Sequence, residues 1–174
     1  MTLPWGIKKG IIMAKSKEIK TNAMRILERM KIAFTELSYE PEGEFEDGIH
    51  TADTLGLPHE KVYKTLVCRS SAKDFFVFVI PIEAELDLKA AAACVGVKSV
   101  EMIHVKEIKD VTGYVRGGCT SIGMKKNYPT VIDESAKALS DMYVSAGRIG
   151  AQINIKPEDL AQAAGAKFAK IIRG

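Results

Sequence analysis

The stretch VYKTLVCRSSAKDFFVFVIP, residues 62–81, sets two β-branched and aromatic runs, VYKTLVC and FFVFVIP, on either side of the turn-like SSAKD. Branched and aromatic side chains pack well on a pleated surface, so two such runs joined by a short polar connection predict a β-hairpin. Side chains alternate along a strand, which puts Val62, Lys64, Leu66 and Cys68 on one face and Tyr63, Thr65 and Val67 on the other. Lys64 therefore points with an apolar set. A lysine there snorkels to an edge, pairs with a carboxylate, or projects its ammonium into a pocket.

On the N-terminal side, apolar Ile19, Ala23, Ile26, Leu27 and Met30 recur at helical spacing between Lys17 and Lys31, predicting a surface helix. IAFTELSY (32–39) alternates toward a strand, and EPEGEFEDG (40–48) reads as an acidic Pro/Gly loop. Thr51 is placed to cap a short helix through Leu55, ended by Gly56 and Pro58. On the C-terminal side, Asp87 can cap LKAAAACV, and Gly96 suits a left-handed stop. Residues 97–115 mix a short strand with a helical turn. TVID (130–133) and MYVSA (142–146) are strands, and AGRIGAQINI (146–155) forms a second hairpin around Gly147 and Gly150. Pro157, followed by Glu158 and Asp159, opens a final helix through Ala164. Strands outnumber helices and adjoining strands lie close enough to pair antiparallel. The predicted class is α+β, a mixed or mostly antiparallel sheet with helices packed around it.

The chain has 174 residues, 47% hydrophobic and 27% charged, which suits one folded domain with a substantial core. Net charge is +3, but Lys8 and Lys9 lie within the first twelve residues, which hold no acid, so the remainder is nearly neutral. A nucleic-acid partner would then be gripped locally, weakly or with help. Three cysteines, Cys68, Cys94 and Cys119, an odd number without metal-like spacing, fit a reducing cytoplasm. No apolar stretch approaches a bilayer span. MTLPWGIKKGII lacks an apolar h-region and a small-residue cleavage site, so residues 1–12 read as a tag or over-extended start, and 13–174 as a single domain.

Glycine concentrates in TGYVRGGCTSIGMKK, residues 112–126. Gly117-Gly118 permits a turn whose N–H groups point outward together, a concavity suited to phosphate, carboxylate or a developing oxyanion. Thr120 and Ser121 add hydroxyls, although a purely structural turn beside a solvated Lys125-Lys126 pair fits the same residues. Cys119 is either a thiol activated by those lysines or a small buried side chain beneath the turn. Ser145, before a glycine turn, either orients a ligand or caps the turn. His50, His59 and His104 lie in separate segments outside any metal-binding pattern, and no G-x-S-x-G elbow is present.

VYKTLV, ELDLK, TGYVRGGCTSIGMKK, PTVIDE and VSAGRIGAQI, in this order, resemble the YbaK family of aminoacyl-tRNA deacylases, relatives of the editing domain inserted in bacterial prolyl-tRNA synthetases. The resemblance runs from about residue 22 to residue 173. It implies a mixed, mostly antiparallel, barrel-like sheet surrounded by helices, and a trans-editing activity that clears cysteine from mischarged proline tRNA. The family's essential lysine falls on Lys64, the first glycine of its GGxSPxG motif on Gly117, the serine of its VSGG on Ser145 and its N-terminal tyrosine on Tyr39. Gly118 and Thr120 follow as substrate-binding positions. Thr120-Ser121 replaces Ser-Pro, Gln152 stands at an acidic position, and Asp47 stands where an aromatic is expected, with Phe45 a substitute. The resemblance implies no cofactor and no metal. The partners implied are the acceptor end of aminoacyl-tRNA and prolyl-tRNA synthetase. In such enzymes the substrate's thiol attacks its own ester, with Lys64 and the Gly117-Gly118 backbone orienting it. Clearance of alanine or another small residue, and a non-catalytic module binding an aminoacyl or nucleotide end, are the alternatives.

Overall fold

A computed structural model of the chain describes residues 12–13, 20–41 and 48–174. Along the chain run β1 (Ile12–Met13), α1 (Asn22–Arg29), β2 (Thr35–Ser38), α2 (Gly48–Leu55), β3 (Tyr63–Ser70), β4 (Phe75–Pro81), α3 (Leu88–Cys94) and β5 (Val100–Met102). There follow α4 (Ile108–Thr112), β6 (Thr130–Asp133), β7 (Met142–Ser145), β8 (Ala151–Ile155), α5 (Pro157–Ala164) and β9 (Ala166–Ala169). The expectations for residues 1–11, for Ile19 and for Phe45 and Asp47 lie outside the described residues.

The predicted hairpin forms: β3 and β4 pair antiparallel with Lys64 opposite Ile80, Leu66 opposite Phe78 and Cys68 opposite Phe76. They sit in a five-stranded sheet of order β5-β3-β4-β6-β9, whose β4–β6 and β6–β9 pairs are parallel. A four-stranded antiparallel sheet, β1-β2-β8-β7, meets it through a bridge between Val62 and Tyr143. The barrel-like mixed sheet is thus assembled from two sheets joined at the start of β3.

Strand β4 is buried on both faces, which is why FFVFVI is continuously apolar instead of alternating with polar residues. Phe76, Phe78 and Ile80 pack with Cys68, Ala91, Ala92 and Val131 beneath α3. Val79 faces a second cluster in which Met24 and Leu27 of α1, Ile132, Val144, Ile153 and Leu160 of α5 fill the space between the sheets. A third cluster, Leu37, Tyr39, Ala52, Leu55, Leu57, Val62 and Ile82, seats α2.

The capping expectations for α3 and α5 hold: the Asp87 carboxylate accepts from the N–H groups of Lys89 and Ala90, Gly96 is left-handed at φ 77°, and Pro157 opens α5. Thr51 is a correction. Thr51 is buried inside α2 instead of capping it, and at Gly48 of the same helix a Cβ would lie 2.6 Å from Cγ2 of Ile82. In α1 the cap is Thr21, whose hydroxyl accepts from the Met24 N–H. Strand β9 was not expected. AKFA carries little strand propensity, and its pairing with β6 comes from the sheet edge that α5 delivers it to.

Candidate active site

Strand β3 pairs with β5 only from Cys68 to Ser70, so among the described residues the edge of β3 facing β5 has no strand partner from Tyr63 to Val67. A cavity of about 500 Å³ opens along that edge. Its walls are β3 itself, the start of α2 (Gly48, Ile49, Thr51), the segment from Met102 to Ile108, the Arg116–Gly117 turn with Cys119, and Ser145 and Gln152 from the second hairpin.

Lys64 lines this cavity, half-buried, and makes no hydrogen bond or ion pair with any described residue. Burial lowers the pKa of its ammonium, with the charge of Glu85 opposing the shift. Of the three fates open to a lysine on this face, pairing with a described carboxylate is not found, and the residue borders the cavity.

The two glycine-rich segments are packed on each other. Gly117 is left-handed at φ 85°, a conformation that costs any residue with a Cβ. Gly118 lies so close to the second hairpin that a Cβ would stand 2.8 Å from the Cα and C of Arg148 and the N of Ile149. The close approach that the diglycine permits is therefore, at Gly118, an approach to another strand connection. Its N–H is engaged as well, donating to Val115 O at 2.9 Å. This corrects the expectation that both glycine N–H groups face a ligand: Gly117 borders the cavity, and Gly118 fixes the turn from behind.

Ser145 and Gln152 are direct partners across β7 and β8 and reach the cavity together. The Ser145 hydroxyl accepts from the Gly147 N–H at 3.1 Å, so it caps the turn while bordering the site. Gln152 is only 9% exposed, and its Oε1 is buried without a hydrogen-bond partner among the described residues. An unpaired buried acceptor costs about 1–3 kcal/mol, which a donor on a ligand would remove.

Tyr39 and Thr120 are placed behind the wall. Tyr39 belongs to the cluster under α2, its hydroxyl 3.3 Å from that of Thr51, which does reach the cavity. Thr120 is fully buried with its Oγ1 unpartnered among the described residues. Both are held by packing that the motif spacing did not reveal, and neither borders the cavity.

Cys119 borders the cavity, and burial pushes its thiol up to about 11, against the opposing hydrogen bond of Thr112. It is protonated at neutral pH and a poor nucleophile. Cys68 is fully buried, its thiol pushed up to about 12 by desolvation. No histidine, aspartate or glutamate is found among the described residues lining the cavity. His59 instead stands between Asp53 and Glu83, 2.7 Å from each; hydrogen bonds, Glu83 first, raise its pKa. Among the described residues no group of three or more histidines, cysteines and carboxylates is arranged to hold a metal, and no helix is long and apolar enough to cross a membrane.

Reading the sequence missed the apolar wall of Met102, Ile103, Val105 and Ile108, and also Arg116. The signal for Arg116 was its position directly before the diglycine; the wall had none, because its residues come from a segment of mixed structure.

EbsC of Enterococcus faecalis, a candidate Cys-tRNA(Pro)/Cys-tRNA(Cys) deacylase, is 41% identical over 160 residues, 91% of this chain and 98% of its own. Among solved structures, a candidate trans-editing enzyme for prolyl-tRNA synthetase shares the fold with a TM-score of 0.73 at 20% identity, covering 90% of this chain and 100% of that one. The hypothetical protein APE2540 does so at 0.77 and 22%, covering 86% and 97%. The sequence profile of the aminoacyl-tRNA editing domain matches residues 47–163. With that match spanning most of the described cavity wall, and a relative above two-fifths identity along nearly the whole length, the chain belongs to the aminoacyl-tRNA editing domain family.

Proposed function

We propose that this protein is a trans-editing deacylase that clears cysteine from mischarged proline tRNA by substrate-assisted attack. One observation carries this reading: among the described residues the cavity is lined by Lys64, whose amine has no hydrogen-bond or ion-pair partner there, and by no histidine, no carboxylate and no thiol ionised at neutral pH. A site so equipped orients and stabilises charge and leaves the nucleophile to its substrate.

In this route the cysteinyl thiol adds to its own ester carbonyl. The new C–S bond forms as the C–O bond to the ribose breaks, the thiol proton ends on the ribose hydroxyl, and a cyclic thiolactone leaves. No water is consumed until that product opens in solution. An aminoacyl ester is already activated, so alignment supplies much of the acceleration. Lys64 supplies positive charge to the carbonyl oxygen or to the terminal nucleotide, and the Gly117 turn borders the same space. Gln152 Oε1 offers an acceptor to the substrate's amine or ribose hydroxyl. The likeness to EbsC, which bears the name of such a deacylase, supports the substrate assignment.

A second reading, clearance of alanine or another small residue, is favoured by the cavity's volume, about 500 Å³, which is far too roomy to sieve by one methylene or thiol. The test is deacylation of Cys-tRNA(Pro), S-methylcysteinyl-tRNA(Pro) and Ala-tRNA(Pro), each against a no-enzyme control. Rapid loss of the first alone, with thiolactone as product, is expected. Equal clearance of the S-methyl substrate refutes thiol attack, and binding without clearance of any of them leaves only the non-catalytic module.

A further inference from the structure

Two charged side chains line the cavity among its described residues, and both are cations: Lys64, half-buried, and Arg116, exposed. Exposure of a lining residue marks the opening, and the other exposed side chains there are apolar, Ile49 at 41%, Met102 at 45% and Val105 at 52%. Among the described residues, a ligand entering this way meets exposed apolar side chains and the Arg116 guanidinium, then polar groups and the less exposed Lys64. That sequence of surfaces fits a nucleotide esterified at its ribose: base on the rim, phosphate on the guanidinium, ester within.

We infer that Arg116 is a positioning residue that binds the phosphodiester on the 5′ side of the terminal adenosine, so that the ester hangs at Lys64 and Gly117. This rests on the deacylase reading above. Guanidinium is the side chain suited to it, since its planar fork meets two phosphate oxygens at once. Its backbone is well held: the turn carrying it is closed by the Gly118 N–H to Val115 O bond, and Gly118 is pressed against the Arg148–Ile149 backbone. Met102 and Val105 supply the apolar and polarisable contacts that suit a purine face.

The charge distribution points the same way. Residues 104–126 contain Lys106, Lys109, Arg116, Lys125 and Lys126 against Glu107 and Asp110 alone, so this one segment carries the whole net charge of +3 and the rest of the chain is balanced. All five cations are exposed. The segment folds back on itself through Lys125 N–H to Thr112 O and Lys125 Nζ to Asp110 O, and Val105, Ile108 and Arg116 of the same segment line the cavity. The near-neutral total conceals one basic segment, the one that carries Arg116, whose exposed cations suit the phosphates of a single strand.

The experiment compares wild type, R116A and R116K on cysteinyl-tRNA, on 3′-O-cysteinyl-adenosine 5′-monophosphate and on 3′-O-cysteinyl-adenosine, each corrected for spontaneous loss. R116A is expected to lose about tenfold to a hundredfold in kcat/KM, through KM, on the first two substrates, in line with loss of a charged hydrogen bond. It should stay within about twofold of wild type on the third, which has no phosphate. R116K should recover part of the loss, and the dependence of log kcat/KM on log salt should flatten by about 0.7 for R116A on tRNA. An equal loss on all three substrates makes Arg116 structural and overturns the proposal; so does a loss confined to intact tRNA, which moves the contact elsewhere on the molecule. Wild-type protein inactive on all three removes the deacylase reading itself, and Arg116's role with it.

Discussion

Replacing Lys64 with alanine should separate activity from folding. The side chain is half-buried, has no hydrogen-bond or ion-pair partner among the described residues, and its ammonium is disfavoured by burial. Truncation removes three methylenes at partial burial, a loss of about 1 kcal/mol at about 0.8 kcal/mol per fully buried group. Relief of an unpaired, desolvated charge works in the opposite direction, so the net change in stability should stay within about 1 kcal/mol. The pH dependence supplies a check on that sign. With its folded pKa below the unfolded 10.5, this group adds stability as pH rises through the window between the two values, and that contribution is lost as pH falls through the lower one. Lys64→Ala should therefore unfold at or above the wild-type midpoint at pH 7 and lose that advantage toward pH 10. Activity behaves otherwise. If the ammonium faces the developing oxyanion, kcat should drop about 10²–10³-fold; if it holds the terminal nucleotide, the loss should fall on KM and be nearer tenfold. Single-turnover deacylation of cysteinyl-tRNA, with thermal unfolding of the same samples, reads both. A folded mutant with wild-type kcat and KM would show that the amine is idle and end the assignment.

Cys119→Ser should deacylate cysteinyl-tRNA within about threefold of wild type, since a thiol pushed up to about 11 contributes no nucleophile; a hundredfold loss in a folded mutant makes Cys119 the attacking group. Gly118→Ala should destabilise by about 1–3 kcal/mol or more, because its Cβ would overlap backbone atoms at 2.8 Å that cannot swing aside. Chemical denaturation measures that loss, and an unchanged midpoint would mean the two glycine-rich turns are not packed together as described.

Much of the architecture was readable because it follows local rules. The β3–β4 hairpin, the Asp87 cap, the left-handed Gly96 and Pro157 at the start of α5 each depend on a few neighbouring residues, and each stands where the residue types predict. Thr51 has the chemistry of a cap, but it is buried inside α2 among residues distant in sequence, which its own neighbours do not reveal. The site divides in the same manner. Lys64, Gly117, Ser145 and Gln152 border one cavity, while Tyr39, Gly118 and Thr120 are not among the described residues that line it. Nothing in the spacing of a motif distinguishes a residue that touches a ligand from one that supports its neighbour.

What the amino-acid sequence determined alone is the alternation that turns Lys64 toward an apolar face, the glycines that allow two tight turns, and the family to which those strings belong. Only the tertiary structure decided that, among the described residues, part of one β3 edge lacks a strand partner, that Gly118 is pressed against the second hairpin, and that Arg116 and a desolvated Cys119 line the same cavity. The physical reason is range. Backbone preference and side-chain alternation act over a few residues, whereas burial, close approach and the field at a cavity are sums over segments that meet only after the chain has folded.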